Sequence, residues 1–331
     1  MRAVANLSQE LHQRILKKKK ELDSHRTLSS EVIEKIEAEM QIEYVYNSNK
    51  IEGSELTRGE TALVMRGMTV NRRSVPDVMA AQNHPEGISL IKEMALDPSY
   101  QITEADLKQV HKIIAEKIVA HPGEYRQNDA EVEGAGFMPP PFQEIPEHMA
   151  ELMEFINDNI DELSPIELAA YAHYHLSWIH PFENVNGRMC RLLMNFILIK
   201  NKYPFVVIKN VEKKKYLRCL YEADHGEFDP FLTYIARCLE QTLDTYLLGI
   251  KNKGDIDNKT IKSQLLTLSE LAEGTPYTAE YLSLLARKGV LDAVKDGKTW
   301  RTTRKTIDLY IQQHSKKKRQ KRVTNSNVTK S

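Results

Sequence analysis

The chain has 331 residues, 41% of them hydrophobic and 28% charged, which leaves room for two domains with sizeable cores. No apolar run approaches the roughly 20 residues that a membrane span requires, and the charged N-terminal residues 1–20 lack the apolar stretch of a signal peptide. Three widely separated cysteines, Cys190, Cys219 and Cys238, have no metal-type spacing. They indicate a reducing, cytoplasmic compartment.

The charged residues are distributed unevenly although the net charge is zero. Residues 256–331 hold 16 Lys and Arg against 7 Asp and Glu, a net charge of +9, so residues 1–255 carry −9. This asymmetry predicts that the two parts of the chain meet different partners.

Up to about residue 250, nearly every segment has the apolar spacing of an amphipathic helix, so we predict a mainly α-helical fold. Thr103 and Asp106 are spaced as a capping pair at the start of one such helix. The two clearest apolar stripes are Ile33, Ile36, Met40 and Tyr44, entered through Ser29 and Ser30, and Leu107, Val110, His111 and Ile114.

The best-marked helix is "SPIELAAYAHYHLSWI". Ser164 stands at the N-cap with Pro165 at the first helical position, and Glu167 completes a capping box. The helix is predicted to stop at His180, because Pro181 disfavours helical geometry in the residue before it. Helical spacing resumes after Gly187, so "HPFENVNG" is predicted to be a loop between two long helices.

Two segments interrupt the helical pattern. "EVEGAGFMPPPF" (Glu131–Phe142) has an Ala-Gly turn between short runs and predicts a small β-hairpin. Residues 251–260 are polar and predict a linker. Beyond them, a short helix stopped by Gly289 precedes a hairpin with an Asp296-Gly297 turn. This order predicts a small winged-helix-like domain, followed by a disordered basic tail.

The loop before the second helix has the residue types of an anion site. A helix N-terminus presents free N–H groups and the positive end of the helix dipole. Asn186 and Gly187 let the backbone approach a ligand closely. Arg188 and Arg191 lie on the first turn, where a guanidinium can fork onto a phosphate. The loop lacks the Gly-rich run and Lys-Ser/Thr of a Walker motif.

The other end of the loop offers a proton acceptor. His180 is placed to take a proton from an attacking hydroxyl, and Phe182 is apolar enough to anchor the loop. Glu183 and Asn184 are the oxygen donors beside the phosphate cradle that a Mg²⁺ would use. The same residues would also occur in a loop with a packing histidine, a simple Asn-Gly turn and surface arginines. The residues alone therefore leave both the structural and the catalytic interpretation open.

"HPFENVNGRMCR" resembles the Fic-domain signature His-x-Phe-x-(Asp/Glu)-Gly-Asn-Gly-Arg-x-x-Arg, and similarity extends over roughly residues 30–250. A second motif, "YNSNKIEGSEL", is similar to the inhibitory (Ser/Thr)-x-x-x-Glu-(Gly/Asn) helix of the family, with Ser48, Glu52 and Gly53 in register. A carboxylate at Glu52 would compete with a γ-phosphate for Arg191.

The resemblance implies a Fic-type helical bundle with a β-hairpin flap, followed by a winged-helix-like α+β domain. It divides the chain into an N-terminal helical region carrying the motif 48–53, a catalytic core, a linker, a winged-helix-like domain and a tail. The corresponding ranges are 1–100, 101–250, 251–260, 261–314 and 315–331.

The resemblance also implies transfer of AMP from ATP to a Tyr, Ser or Thr hydroxyl of a protein, with Mg²⁺. His180 would be the general base, and the flap residues Gly134, Ala135, Gly136 and Phe137 would pair with an extended target segment. The implied nucleotide-binding residues are Asn184, Val185, Asn186, Gly187, Arg188, Arg191 and Tyr216.

Two positions depart from the family signature. Asn184 stands where the family has an acidic metal ligand, so Mg²⁺ should bind through a neutral carbonyl and more weakly. Val185 stands where the family has Gly. Three hypotheses therefore remain. The chain is an autoinhibited AMP-transferase, a catalytically weak scaffold that acts as a DNA-binding regulator, or an enzyme that uses another nucleotide-linked donor or removes AMP with Glu52 aligning the water.

The C-terminal domain resembles a MerR-type or winged helix-turn-helix unit. A basic face there predicts phosphate contacts with nucleic acid, or alternatively a solvated face on a protein-interaction module. Trp300 is expected in its core, and the resemblance is compatible with a homodimer. The residues of the basic face are Arg287, Lys288, Lys295, Lys298, Arg301, Arg304 and Lys305.

Overall fold

The structure is a computed structural model that describes residues 7–25, 30–132, 135–252, 266–287, 291, 293–296, 299–302, 304, 306–308, 310 and 311. The described residues fall into two compact units, 1–56 with 63–254 and 57–62 with 255–331. None of the helices in these ranges has the length and apolarity that crossing a bilayer would demand.

The larger unit is built almost entirely from helices, which confirms the predicted mainly α-helical class. Short 3₁₀ turns precede two of the helices at Phe142–Glu144 and Asn210–Glu212. The α-helices up to residue 251 are α1 (Gln9–Ser24), α2 (Ser30–Ile51), α3 (Arg58–Val64), α4 (Val75–Leu96), α5 (Glu104–Ile114), α6 (Ile145–Asn159), α7 (Pro165–Ile179), α8 (Asn186–Lys200), α9 (Lys213–Asp224) and α10 (Asp229–Lys251).

Helix α8 forms the centre of this unit. It packs along α7 and against α4, and it also touches α2 and α5. Leu192, Leu193 and Phe196 are at most 1% exposed, because the neighbouring helices cover α8 on several sides. The first turn of α8 is therefore held in a fixed position by the surrounding helices.

The helix caps agree with the sequence in one place and differ in another. Thr103 and Asp106 form the predicted capping box, with both reciprocal hydrogen bonds present. Ser164 stands at the N-cap of α7 but makes no side-chain cap hydrogen bond, and its buried hydroxyl has no partner among the described residues. The capping box predicted with Glu167 is therefore wrong, and α7 starts on Pro165 and its packing alone.

The predicted end of α7 is confirmed. The helix stops at Ile179, and His180 takes left-handed backbone angles of φ 50° and ψ 55°. The chain then turns through a short loop and enters α8 at Asn186. The two ends of this loop are fixed by the two most tightly packed helices of the unit.

The prediction of a β-hairpin flap is wrong for the described residues of this segment. Residues 131, 132 and 135–142 contain no strand, and the Ala135 N–H donates to the Val132 carbonyl at 3.1 Å. Three consecutive prolines at 139–141 carry no N–H and cannot donate to a ladder. Gly134 lies outside the described residues.

The described residues of the smaller unit include the helices α11 (Leu268–Ala272) and α12 (Ala279–Arg287) and a three-stranded antiparallel sheet. Its strands lie in the order β1-β3-β2. Trp300 packs against the core of the unit. The strands are β1 (Leu266–Thr267), β2 (Val294–Asp296) and β3 (Thr299–Thr302).

The basic face predicted on this unit is only partly described. The Arg304 guanidinium donates to the carbonyls of Leu271 and Glu273 at 3.2 and 3.0 Å, so it caps the end of α11. The winged-helix assignment and nucleic-acid binding stay predictions. Lys288, Gly289, Gly297, Lys298, Lys305, residues 253–260 of the linker and the tail 315–331 lie outside the described residues.

Candidate active site

The loop between α7 and α8 has two residues in a backbone conformation that favours glycine. His180 has a φ of 50° and Val185 a φ of 69°. A β-branched residue in this region is a genuine outlier, and such strain persists only where the surroundings determine the conformation. Val185 shows why the family signature has Gly at this position.

The imidazole of His180 is oriented by its own helix. Its Nδ1 lies 3.3 Å from the Ser177 carbonyl, and because a carbonyl only accepts, this nitrogen carries the proton. Nε2 is then the atom left to accept one. Burial lowers the pKa of His180, and the Arg126 cation lowers it further, against opposing effects of the Ser177 carbonyl and Glu52. A neutral imidazole with Nε2 unprotonated is the form that acts as a base.

Phe182 and Asn186 close the loop on itself. Phe182 is fully buried, and its ring stacks on that of His111 with centroids 3.8 Å apart. The Asn186 side chain accepts from the Phe182 N–H at 3.0 Å and donates to the Phe182 carbonyl at 2.7 Å. Both polar atoms of the Asn186 side chain are thus used within the loop, and nucleotide binding at Asn186 stays a prediction.

His111 supports the loop from α5. Its Nδ1 accepts from the Gly123 N–H at 2.9 Å, so Nε2 carries the proton and donates to the Asn184 carbonyl at 3.2 Å. Burial lowers the pKa of His111 to about 4. Sequence reasoning placed His111 on an apolar stripe but missed this role. A histidine inside such a stripe was the available signal.

Arg188 is a buried cation whose hydrogen bonding is incomplete. It is 7% exposed, and its Nε has no hydrogen-bond partner among the described residues. Burial lowers the pKa of Arg188 to about 10. Since an unpaired buried donor is costly, this side chain in the first turn of α8 is suited to receive an anion.

Arg191 differs because helix α2 already supplies its acceptors. Its side chain is 1% exposed, and Nε donates to the Ser48 hydroxyl at 2.9 Å. One terminal nitrogen donates to the Ser48 carbonyl at 3.1 Å and to Glu52 Oε1 at 2.6 Å. Burial alone would lower the pKa of Arg191, but the Glu52 carboxylate, with Tyr216 and Tyr44, together outweighs it and raises the pKa.

Glu52 is held at this place by the way in which α2 ends. The Gly53 N–H donates to the Lys50 carbonyl and the Ser54 N–H to the Asn49 carbonyl, both at 3.1 Å. This is a Schellman motif with Glu52 at the C-cap, and Gly53 provides the required positive φ of 97°. A carboxylate is disfavoured at a helix C-terminus, so Arg191 is needed to hold it there.

The contact between Glu52 and α8 leaves no space for a side chain at Gly187. A Cβ built on Gly187 would lie 2.5 Å from Glu52 Oε1. Burial tends to raise the pKa of Glu52, but the charge and hydrogen bond of Arg191 outweigh it and hold the pKa below its ordinary value. The carboxylate is therefore ionised near neutral pH while it lies at the start of α8.

Two predicted ligand residues lie in unexpected surroundings. The Oδ1 atom of Asn184 accepts from the Val185 N–H at 2.6 Å, within the loop. Tyr216 does not line an open pocket, because it is 3% exposed and its hydroxyl lies 2.9 Å from His173 Nε2. Within the described ranges, no three His, Cys, Asp or Glu side chains come together as a metal site.

The flap segment approaches the site from the side of α9. The Gly136 N–H donates to Asp224 Oδ2 at 3.1 Å, and a Cβ at Gly136 would clash with the ring of His225. The ring of Phe137 lies 6.5 Å from that of Trp178, two residues before His180. A side chain at 136 would therefore require the exposed His225 ring to move.

Comparison with known proteins agrees with this geometry. Residues 101–198 match the Fic/DOC family. The chain is 34% identical to "Protein adenylyltransferase Fic" of Nematostella vectensis over 63% of this chain and 49% of that protein. It is 32% identical to the protein of the same name in Drosophila erecta over 73% of this chain and 50% of that protein. The chain thus spans about half the length of the curated relatives it matches.

Solved structures extend the likeness beyond the matched motif. A Fic-domain-containing signaling protein from Bacteroides thetaiotaomicron is 30% identical, with a TM-score of 0.69, over 72% of this chain and 98% of that one. Fic-1 (residues 134–508) from C. elegans shares the fold at 24% identity, with a TM-score of 0.67 over 74% of each chain. The loop, the helix that follows it and the bundle around them are those of the Fic/DOC family, to which this chain belongs.

Proposed function

We propose that this chain is a protein adenylyltransferase that is held inactive by its own residues 48–53. It would transfer AMP from ATP to a Tyr, Ser or Thr hydroxyl of a protein. The observation that carries the proposal is that one loop has an oriented, neutral His180 at one end and, at the other, a buried Arg188 whose Nε has no hydrogen-bond partner among the described residues. The names of the relatives support the same activity.

In the proposed reaction, His180 Nε2 takes the proton of the target hydroxyl. The hydroxyl oxygen attacks the α-phosphorus of ATP, the bond from that phosphorus to the β-phosphate oxygen breaks, and pyrophosphate leaves. The Ser177 carbonyl keeps the imidazole in the tautomer that the step needs. Holding base and phosphate at fixed positions supplies much of the rate.

The start of α8 would hold the phosphates. Its first-turn N–H groups have no carbonyl partners within the helix and point outward with the positive end of the dipole. Arg188 adds a buried charge beside them, and Arg191 would add a second once Glu52 withdraws. These groups are preorganised, so stabilising the charge costs no rearrangement during the step.

Mg²⁺ fits this site only through a small set of protein donors. Asn184 Oδ1 and the exposed carboxylate of Glu183 are the side-chain oxygens on the loop beside the start of α8. Mg²⁺ usually takes one or two protein oxygens and completes its shell with water and phosphate. When bound, it would neutralise the charge on the phosphates.

Autoinhibition follows from competition for one guanidinium. Glu52 and Ser48 together take three hydrogen bonds from Arg191. A charge-assisted bond of 2.6 Å to Glu52 lies where a phosphate oxygen would have to bind. The close approach of Oε1 to Gly187 also fills space at the helix N-terminus. Removing the carboxylate should restore both the charge and the space.

The test is labelling with ATP that carries a radioactive α-phosphate, with Mg²⁺, using the full chain. Glu52→Gly should increase incorporation of label by roughly 10-fold or more, since a charged hydrogen bond is removed from the site. His180→Ala in the Glu52→Gly background should then reduce it by roughly 100-fold or more. Loss of label from a protein that the Glu52→Gly variant has labelled, after unlabelled wild-type chain and Mg²⁺ are added, would show whether wild type removes AMP.

A matched control is Glu55→Gly, which removes a carboxylate only three residues away. The Glu55 side chain is 78% exposed and pairs with Arg73 rather than with Arg191. It should leave labelling at the wild-type level. Equal labelling of wild type and Glu52→Gly would contradict inhibition, and undiminished labelling of the variant lacking His180 would contradict the assignment of the base.

A further inference from the structure

Arg126 is a buried arginine that precedes the flap and touches the loop of the site. It is 6% exposed. Among the described residues, its ion-pair partner is Asp129, which lies 3.9 Å away and is itself 71% exposed. Burying a guanidinium is expensive unless its donors are satisfied. The acceptors of Arg126 therefore explain why it is there.

Several of its hydrogen-bond acceptors are backbone carbonyls of the distant segment 179–181. Nε donates to the His180 carbonyl at 2.9 Å, and one terminal nitrogen also approaches the Ile179 carbonyl at 3.5 Å. The backbone N–H of Arg126 donates to the Pro181 carbonyl at 2.9 Å. These carbonyls end α7, where a cation is favourably placed by the helix dipole.

The remaining donors reach both ends of the flap segment. One terminal nitrogen donates to the Asn128 carbonyl at 2.8 Å and the other to the Pro140 carbonyl at 2.6 Å. The chain between these two residues contains the flap. A single planar guanidinium thus joins the start and the end of the flap segment to the backbone of His180.

We propose that Arg126 is a positioning residue that fixes the backbone of His180 and both ends of segment 128–140 in one arrangement. It sets the distance between the base and the flap that would hold the target. The left-handed backbone of His180, which precedes a proline, is strained. The fork of Arg126 supplies the contacts that maintain it. Only the kinetic test of this inference, the measurement of AMP transfer, rests on the proposed function.

The same cation influences the titration of His180. The charged groups that act on the imidazole are Arg126, which precedes the flap, and Glu52, at the end of α2. The cation disfavours a second positive charge nearby, so it lowers the pKa of His180, whereas Glu52 raises it. Removing the charge at 126 should therefore raise the pKa of His180. The imidazole would then become protonated, and lose its function as a base, at a higher pH than in wild type.

Two substitutions separate charge from geometry. Arg126→Gln removes the charge and keeps two amide donors. Arg126→Lys keeps the charge but has one nitrogen, which cannot reach carbonyls on three sides. The His180 signal is followed by NMR in the full chain and assigned by its absence in His180→Ala. We expect its pKa to rise in Arg126→Gln and to stay near wild type in Arg126→Lys.

Amide hydrogen exchange tests the geometric part without any reaction. Exchange in residues 128–142 should become faster in both variants, because the two ends of the segment lose their common anchor. In the Glu52→Gly background, kcat for AMP transfer should fall by roughly 10- to 100-fold in both, with a smaller change in KM for ATP. The acidic limb of the pH profile should move to higher pH in Arg126→Gln alone.

Arg14→Gln is the control, since Arg14 lies on α1 and pairs with Glu10 of the same helix and with Glu240 of α10. It should leave the His180 pKa, the exchange and the kinetics unchanged. Wild-type exchange and wild-type His180 titration in Arg126→Gln would overturn the positioning role. If no form of the chain transfers AMP while titration and exchange change as expected, the proposed function fails and the positioning role stands.

Discussion

The two ends of the loop between α7 and α8 are held in different ways. At the His180 end, a backbone carbonyl is fixed by Arg126, and in the middle of the loop His111 fixes the Asn184 carbonyl; neither partner would change when a ligand arrives. At the Arg191 end, the fixed group is a guanidinium, and its partners are side-chain and backbone oxygens of α2. A phosphate can replace those oxygens, but nothing in a nucleotide would replace a buried guanidinium.

If the proposed function holds, this difference shows how an enzyme could be assembled and inactive at once. The proposed base is preorganised because its supports belong to the fold, so activation would need no rebuilding there. The anion end is occupied by a carboxylate that carries the same sign of charge as a phosphate. Control would then depend on one replaceable ion pair, and each substitution below tests one side of the comparison.

The comparison is sharpest between the two arginines. Arg188→Gln should weaken ATP binding to the Glu52→Gly variant by roughly 10- to 100-fold, because a buried charged donor is lost. The free energy of unfolding should change by less than about 1 kcal/mol, since Nε has no partner to lose. Titration calorimetry and denaturant unfolding give the two numbers.

Arg191→Gln should behave in the opposite way in the wild-type background. It breaks the bonds to Ser48 and Glu52, so unfolding should become easier by about 1 to 3 kcal/mol, with the lower part of that range favoured by the 37% exposure of Glu52. If both variants lost the same free energy of unfolding, the distinction between Arg191, whose donors have acceptors on α2, and Arg188, whose Nε has none, would be wrong.

Asn184→Asp tests the middle of the loop, between the two ends. A carboxylate there adds a charge to the donors that Mg²⁺ would use and keeps the acceptor for the Val185 N–H. In the Glu52→Gly background, the Mg²⁺ concentration for half-maximal transfer should fall by roughly 10-fold. Glu183→Gln is the control: a comparable rise in that concentration would indicate that Glu183 is the ligand instead.

Local signals in the sequence predicted much of this site. Pro181 predicted the end of α7, and the apolar spacing after Gly187 predicted α8. The spacing of Ser48 and Glu52 in the inhibitory motif predicted the contact with Arg191, which is present at 2.6 Å. Each of these inferences depends on residues a few positions apart or on a motif long enough to recognise.

The supports of the loop could not be predicted in this way. Arg126 meets His180 across 54 residues and His111 meets Asn184 across 73, and no periodicity encodes such distances. The hairpin failed for a related reason. An Ala-Gly turn between short runs indicates a hairpin, but strand pairing depends on backbone donors, and the following prolines do not supply them.

The smallest effect concerns Val185, and it is informative because it reverses an ordinary rule. Ala is usually better tolerated than Gly in a folded chain by about 0.5 to 1 kcal/mol. At a φ of 69° that preference should invert, because any side chain with a Cβ keeps the left-handed strain of about 1 to 2 kcal/mol.

Val185→Ala and Val185→Gly both lose the burial of a side chain that is 3% exposed, which costs up to about 2 kcal/mol. Only the glycine variant recovers the strain, so denaturant unfolding should find it more stable than the alanine variant by about 1 kcal/mol. A more stable alanine variant would mean that the loop relaxes out of this conformation. The strained turn would then not be what fixes His180 and α8 relative to each other.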